Sequence, residues 1–186
     1  MTREVWLEPI LRQLRLRQVL PHLPVGCRLL DVGCGFSATL LKAVSPRIHQ
    51  GVGIDYKVQP MHQGNLQTIQ QQLTDRLPFP DASFDVVTLL AVLEHLESEQ
   101  QILVEIRRVL QPNGKLVLTV PSIWAQPVLE FLAYRLKWID AREIRDHKRY
   151  YDRSRLQQSL VEQAQFRHFQ HRYFQWGMNN FCTVVK

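Results

Sequence analysis

LLDVGCGFSATL, residues 29–40, is an apolar run that ends on an acid and turns through two glycines into a segment with helical spacing. A buried strand that enters a helix through a tight glycine turn opens a doubly wound sheet, and ligands of such sheets sit outside the carboxyl ends of the strands. Gly33 and Gly35 allow positive backbone torsions and let a ligand approach the main chain with no Cβ in the way. A dinucleotide and a sulfonium nucleoside both suit a turn of this kind, and the spacing fits G-x-G-x-x-A with Ala38 as its last member. Asp31 separates the two. Its carboxylate repels a pyrophosphate and attracts a cation, and opposite unit charges at 4 Å are worth about 1 to 4 kcal/mol between bulk water and a protein surface. A second acid, Asp55, closes the apolar run GVGID and can accept hydrogen bonds from both hydroxyls of a ribose.

Outward from this turn, hydrophobic period and punctuation alternate strand with helix. An amphipathic helix is predicted from Arg3 to Leu20, stopped by Pro21 and Pro24. CRLLDVG reads as the first strand, SATLLKAVS as a helix with Ser37 as its N-cap, and GVGID as the second strand. Residues 56–70 are poorly patterned, with a weak third strand in TIQQQL. SFDVVTLLAVL reads as the fourth strand, SEQQILVEIRRVL as a helix with Ile102, Leu103, Ile106, Val109 and Leu110 on one face, and GKLVLTVP as the fifth strand after the turn QPNG. QPVLEFLAYRLKWI and DRSRLQQSLVEQA have helical spacing, and the chain closes with FRHFQHRYFQW and FCTVVK, two strands joined at GMNN. The expectation is therefore an α/β fold. It has a Rossmann-like, doubly wound sheet of seven strands, mostly parallel, with an antiparallel C-terminal hairpin strand and helices on both faces.

The chain has 186 residues and is 45% hydrophobic, which is enough to bury one sizeable core. A single domain is expected over 1–186: an N-terminal helix to residue 24, a ligand-binding core over 25–123, a substrate-side insertion over 124–151, and a C-terminal helix and hairpin over 152–186. No apolar run approaches the length of a membrane span. The N-terminal stretch carries Glu and Arg through its apolar positions, unlike a secretion signal. Cys27, Cys34 and Cys182 are odd in number and lack metal-ligand spacing, so free thiols, no metal and a cytoplasmic location are expected. The formal charge of +6 is uneven, with clusters at Arg12, Arg15 and Arg17 and again from Arg142 to Arg155. Such a surface suits a nucleic acid, an anionic headgroup or a phosphorylated substrate, or is simply a solvated face.

LLDVGCGFSATL, GVGIDY, LPFPDASFDVVTLLAVLEHL and RRVLQPNGKLVLTVPS, in that order and spacing, resemble the class I S-adenosylmethionine-dependent methyltransferases of the broad small-molecule type. The resemblance is close over residues 25–123, and DHKRYYDRSRLQQSL with the closing hairpin is similar to that family's tail. It implies S-adenosylmethionine as cofactor. Asp31, Gly33, Cys34 and Gly35 would surround the methionine part, Asp55 would hold the ribose, and Tyr56 would lie against the adenine. The family's acid before LPF is replaced here by Gln72, beside Leu73, and the carbonyl of Gln72 can still accept from the adenine amine. Ser37 stands where many members have a third glycine. Leu90 and Ala91 would line the floor beneath the methyl group.

In such a site the protein places a nucleophile in line with the sulfur–methyl bond and excludes water. An oxygen or nitrogen acceptor also calls for a base of matched pKa, and His95 and His147 are the candidates. The acceptor is expected to be a small molecule, a lipid or a glycosylated or phosphorylated metabolite, chosen by residues 121–151, with peripheral contact to a membrane surface compatible with the apolar helix there. A nucleic-acid target is disfavoured, because no base-methylation motif or appended binding domain is present. Two other readings compete: a methyltransferase-like scaffold that does not turn over, and an NAD-dependent oxidoreductase, against which Asp31 and the antiparallel last strand count.

Overall fold

The computed structural model describes residues 8–131 and 148–186. Its strands are β1 (Arg28–Val32), β2 (Gln50–Asp55), β3 (Met61–Gln63), β4 (Leu66–Gln70), β5 (Phe84–Leu90), β6 (Leu110–Pro121), β7 (Arg167–Phe174) and β8 (Asn179–Val185). The helices are α1 (Glu8–Val19), α2 (Thr39–Val44), α3 (Glu99–Val109), α4 (Ala125–Phe131) and α5 (Arg153–Gln157). All eight strands form one sheet in the order β3-β4-β2-β1-β5-β6-β8-β7. The inner strands β4, β2, β1, β5 and β6 are parallel, and β8 and β7 close the sheet in antiparallel pairings.

The apolar runs behave as strands buried on both faces. Leu29, Val86 and Val117 point to the side covered by Val19 of α1 and by Leu40, Leu41 and Val44 of α2. Leu30, Val87 and Leu116 point to the other side, against Ile102, Leu103 and Ile106 of α3 and Leu156 of α5. The winding changes direction between β1 and β5, which places the switch point at the glycine turn.

Several local expectations are corrected. The sheet has eight strands rather than seven, because the unpatterned stretch holds a hairpin in which Met61 pairs with Thr68 and Gly64 turns at φ +59°. β3 is too short to show a period, and β4 places Thr68 on a buried position, where its hydroxyl donates to the Gln59 carbonyl at 2.7 Å. Ser37 does not cap α2. The cap position is Ala38, in a left-handed conformation at φ +46°, with no side-chain capping bond.

QPNG is not a turn ahead of the fifth strand but part of β6, with Asn113 at φ +63° and a register shift against Phe84 and Val86. The C-terminal helix is α-helical only through α5, where the Asp152 carboxylate accepts from the Arg155 N–H at 2.8 Å, and then widens into a π-helical segment over Gln158–Gln163. Of the helix expected in QPVLEFLAYRLKWI, α4 is the described part; the remainder, the basic stretch up to residue 147, and residues 1–7 of the first helix lie outside the described residues. Among the described residues no helix is long and apolar enough to cross a membrane, and no cluster of His, Cys, Asp or Glu is set to hold a metal ion.

Candidate cofactor site

β1 delivers the chain to the sheet's carboxyl edge, and the turn after it is held by its neighbour. The Gly33 and Cys34 N–H groups donate to the Ile54 carbonyl at 2.8 and 3.3 Å. Gly33 and Gly35 have φ of +76° and +68°, conformations in which a side chain is strained. Their surroundings differ. A Cβ on Gly33 would lie 2.2 Å from Cγ2 of Val92, whereas one on Gly35 would meet nothing within 4 Å. Gly33 is the close approach of backbone to protein, and Gly35 faces open space.

Asp55, at the end of β2, pins this turn from below. Its Oδ2 accepts from the Gly35 N–H at 2.9 Å and its Oδ1 from the Lys57 N–H at 2.8 Å. A carboxylate offers about four lone-pair sites, so each oxygen keeps capacity for a further donor. Asp31 is more deeply placed, only 3% exposed. The Thr88 hydroxyl donates to its Oδ1 at 2.6 Å. Burial pushes the Asp31 carboxyl up to about 6, opposed by the Thr88 hydrogen bond and reinforced by the charge of Asp55. A buried acid held this way is ionised at neutral pH at a cost that a bound cation relieves.

Thr88 and Val92 complete the site and were not among the residues expected. A signal for Thr88 does exist: it is the only hydroxyl in FDVVTLL, and the parallel register sets it opposite Asp31. Thr88→Val removes the donor to the charged form, and a hydrogen bond to a charged group is worth about 1.5 to 3 kcal/mol. The Asp31 titration, followed by carboxyl carbon NMR, is therefore expected to move up by roughly one pH unit or more; an unchanged midpoint would show that the hydroxyl does not hold the charge.

The other expected residues distribute unevenly. Cys34 is half-buried, and burial followed by the charges of Asp31 and Asp55 raises its thiol far above the usual range, so it is no nucleophile at neutral pH. Tyr56 is exposed, with the Lys57 Nζ 4.9 Å from its ring centroid. Gln72 is exposed, while Leu73 packs against the α3 side of the core. Leu90 packs on the α2 side, and Ala91, left-handed at φ +55°, donates its N–H to the Thr119 carbonyl at 2.8 Å. His95 is half-buried at the end of a 3₁₀ turn that begins at Leu93, just past β5. His147 lies outside the described residues.

Residues 30–118 match the family described as a methyltransferase domain. The chain is 33% identical over 114 residues to 27-O-demethylrifamycin SV methyltransferase of Amycolatopsis mediterranei, an alignment covering 56% of this chain and 42% of that protein. It is 31% identical over 121 residues to demethylmenaquinone methyltransferase of Lactiplantibacillus plantarum, covering 59% of this chain and 51% of that one. The chain thus aligns with about half the length of these relatives, or less. In three dimensions it superposes on a SAM-dependent methyltransferase from Archaeoglobus fulgidus with a TM-score of 0.70 at 16% identity, over 95% of this chain and 94% of that one.

Proposed function

Because the chain belongs to the class I S-adenosylmethionine-dependent methyltransferases, we propose that it transfers the methyl group of S-adenosylmethionine to a small acceptor with an apolar body. One observation carries the cofactor side of this reading: a buried acid, a glycine turn open at Gly35 and a second acid pinning that turn converge on one edge of the sheet. When bound, the cofactor supplies an electrophilic methyl group on a sulfonium. The protein's part is to bind, orient and exclude water.

In this reading Asp31 offsets the cationic charge of the methionine part, and the cost of its burial falls when that charge arrives. Gly35 leaves the main chain open to the ligand. Asp55 uses its remaining lone pairs for the ribose hydroxyls, and Tyr56 lies against the adenine. Leu90 and Ala91 form the floor on the acceptor side, and His95 takes the acceptor's proton. The apolar acceptor is supported by the names of two relatives, which act on a demethylrifamycin and a demethylmenaquinone.

The test is thermal unfolding with S-adenosylmethionine, S-adenosylhomocysteine and NAD, each at about a hundredfold its dissociation constant. Such an excess adds about 2.7 kcal/mol, a midpoint rise of roughly 5 to 11 °C for a domain of this size. Rises with both sulfur nucleosides and none with NAD are expected. The response should fade as the pH falls below about 6, where Asp31 takes up its proton. A rise with NAD alone would assign a dinucleotide site, and no response to any of the three would leave a scaffold without cofactor.

A further inference from the structure

Among the described residues, six of the ten large exposed apolar side chains follow strands that end at one edge of the sheet, while Ile10, Val25, Val104 and Tyr173 lie elsewhere. Phe36 follows β1, Tyr56 follows β2, Ile123, Trp124 and Val128 follow β6, and Trp176 sits in the turn between β7 and β8. That turn belongs to the same edge, since β8 is antiparallel to β6 and the Ser122 hydroxyl and N–H donate to the carbonyls of Gly177 and Met178 at 2.6 and 2.9 Å.

Trp176 is 92% exposed and Trp124 is 65% exposed. The backbone of the turn is tightly constrained. Gln175, Trp176 and Gly177 are all left-handed, at φ of +52°, +56° and +84°. Gln175 is tied across to α1 through the Leu11 carbonyl at 3.3 Å. A bulky residue in the left-handed region is costly and persists only where its surroundings impose it. Here the result is an indole held out into solvent at the edge where the cofactor site opens, in a turn tied to the segment that carries the exposed Trp124.

We propose that this edge docks on an anionic phospholipid bilayer, with Trp124 and Trp176 as the anchors at the headgroup level. Indoles favour the membrane–water interface because the ring is apolar and its N–H is polar. Two cationic side chains accompany the rings, on a chain whose formal charge is +6. Lys57 lies over the Tyr56 ring at the same edge. Exposed Arg153 follows Tyr151, whose main chain bridges to Ser122 and whose carbonyl accepts from the Ile123 N–H at 3.0 Å. The apolar residues come from four separate segments, which follow β1, β2, β6 and β7. Docking in this pose turns the mouth of the cofactor site toward the lipid and gives an apolar acceptor a route to it that avoids bulk water.

The experiment is co-sedimentation of the full chain with phosphatidylcholine vesicles containing roughly one third phosphatidylglycerol, with pure phosphatidylcholine vesicles alongside. The expected result is binding to the anionic vesicles that weakens with salt, is slight on neutral vesicles, and falls by roughly tenfold or more in the exposed double variant Trp124→Ala, Trp176→Ala. Binding that survives in that variant overturns the docking mode, as does a failure to bind. Light scattering adds a third outcome: concentration-dependent self-association abolished by the same variant would make the edge a contact between copies and overturn the proposal. The docking stands apart from methyl transfer, because the variant's unfolding shift with S-adenosylmethionine reports on the cofactor site whatever the vesicles show.

Discussion

Asp31→Asn is expected to make the ligand-free protein more stable while removing its response to cofactor. The Asp31 carboxyl is raised from 3.8 to about 6, chiefly by burial. The folded state therefore holds a proton that the unfolded chain gives up. The stability this provides is complete below the unfolded value and is lost as the pH rises through about 6. At pH 8 the ionised side chain costs the ligand-free fold about 3 kcal/mol. Asparagine removes the charge and keeps an acceptor for the Thr88 hydroxyl, so the unfolding midpoint should rise by about 6 to 12 °C at pH 8. Near pH 4 most of that gain should vanish. The dissociation constant for S-adenosylmethionine should weaken by roughly two orders of magnitude, the same energy paid at the other end of the equilibrium. A midpoint that rises equally at both pH values would detach the effect from charge, and an unchanged dissociation constant would place the cation elsewhere.

This trade explains why part of the site was legible in the sequence and part was not. Asp31 and Asp55 are polar endings of apolar runs, and such endings stand out because burying a charge there needs a reason. The strands β1, β2, β5 and β6 were legible on the same grounds, since β-branched and leucine runs buried on both faces leave a continuous apolar signature. The hairpin of β3 and β4 was not, because Thr68 occupies a core position through its bond to the Gln59 carbonyl and β3 has only three residues. The start of α2 was misplaced for a different reason. Its left-handed residue is Ala38, and alanine gives no sign of a positive φ in the way glycine or asparagine does. Val92 was missed because its role is set by a contact with Gly33 across the sheet edge, and neither residue announces the other in the chain.

Gly33→Ala and Gly35→Ala separate backbone strain from steric exclusion, and the first is expected to be much the more damaging to the fold. Both glycines have positive φ, +76° and +68°, so alanine pays a similar conformational cost of about 1 to 2 kcal/mol at either. Only at Gly33 does the new methyl collide, 2.2 Å from Val92 Cγ2 and 3.1 Å from Cγ1. Val92 is partly buried and packs against the core on the α3 side, so relieving the contact means displacing it from that packing. Overpacking of this kind adds about 1 to 3 kcal/mol. Urea unfolding should therefore show Gly33→Ala losing roughly 2 to 5 kcal/mol and Gly35→Ala about 1 to 2 kcal/mol. In the double variant Gly33→Ala, Val92→Ala the 2.2 Å collision is gone and only a tight 3.2 Å contact between the two Cβ atoms remains, so a coupling of about 1 to 2 kcal/mol between the two changes is expected. Cofactor affinity should order the other way relative to stability: Gly35→Ala, mild in the fold, places its methyl in the open space that the ligand would fill and should abolish the S-adenosylmethionine shift. If Gly35→Ala still bound the cofactor normally, that space would not be where the ligand lies, and the cradle would have to be drawn from the other side of the turn.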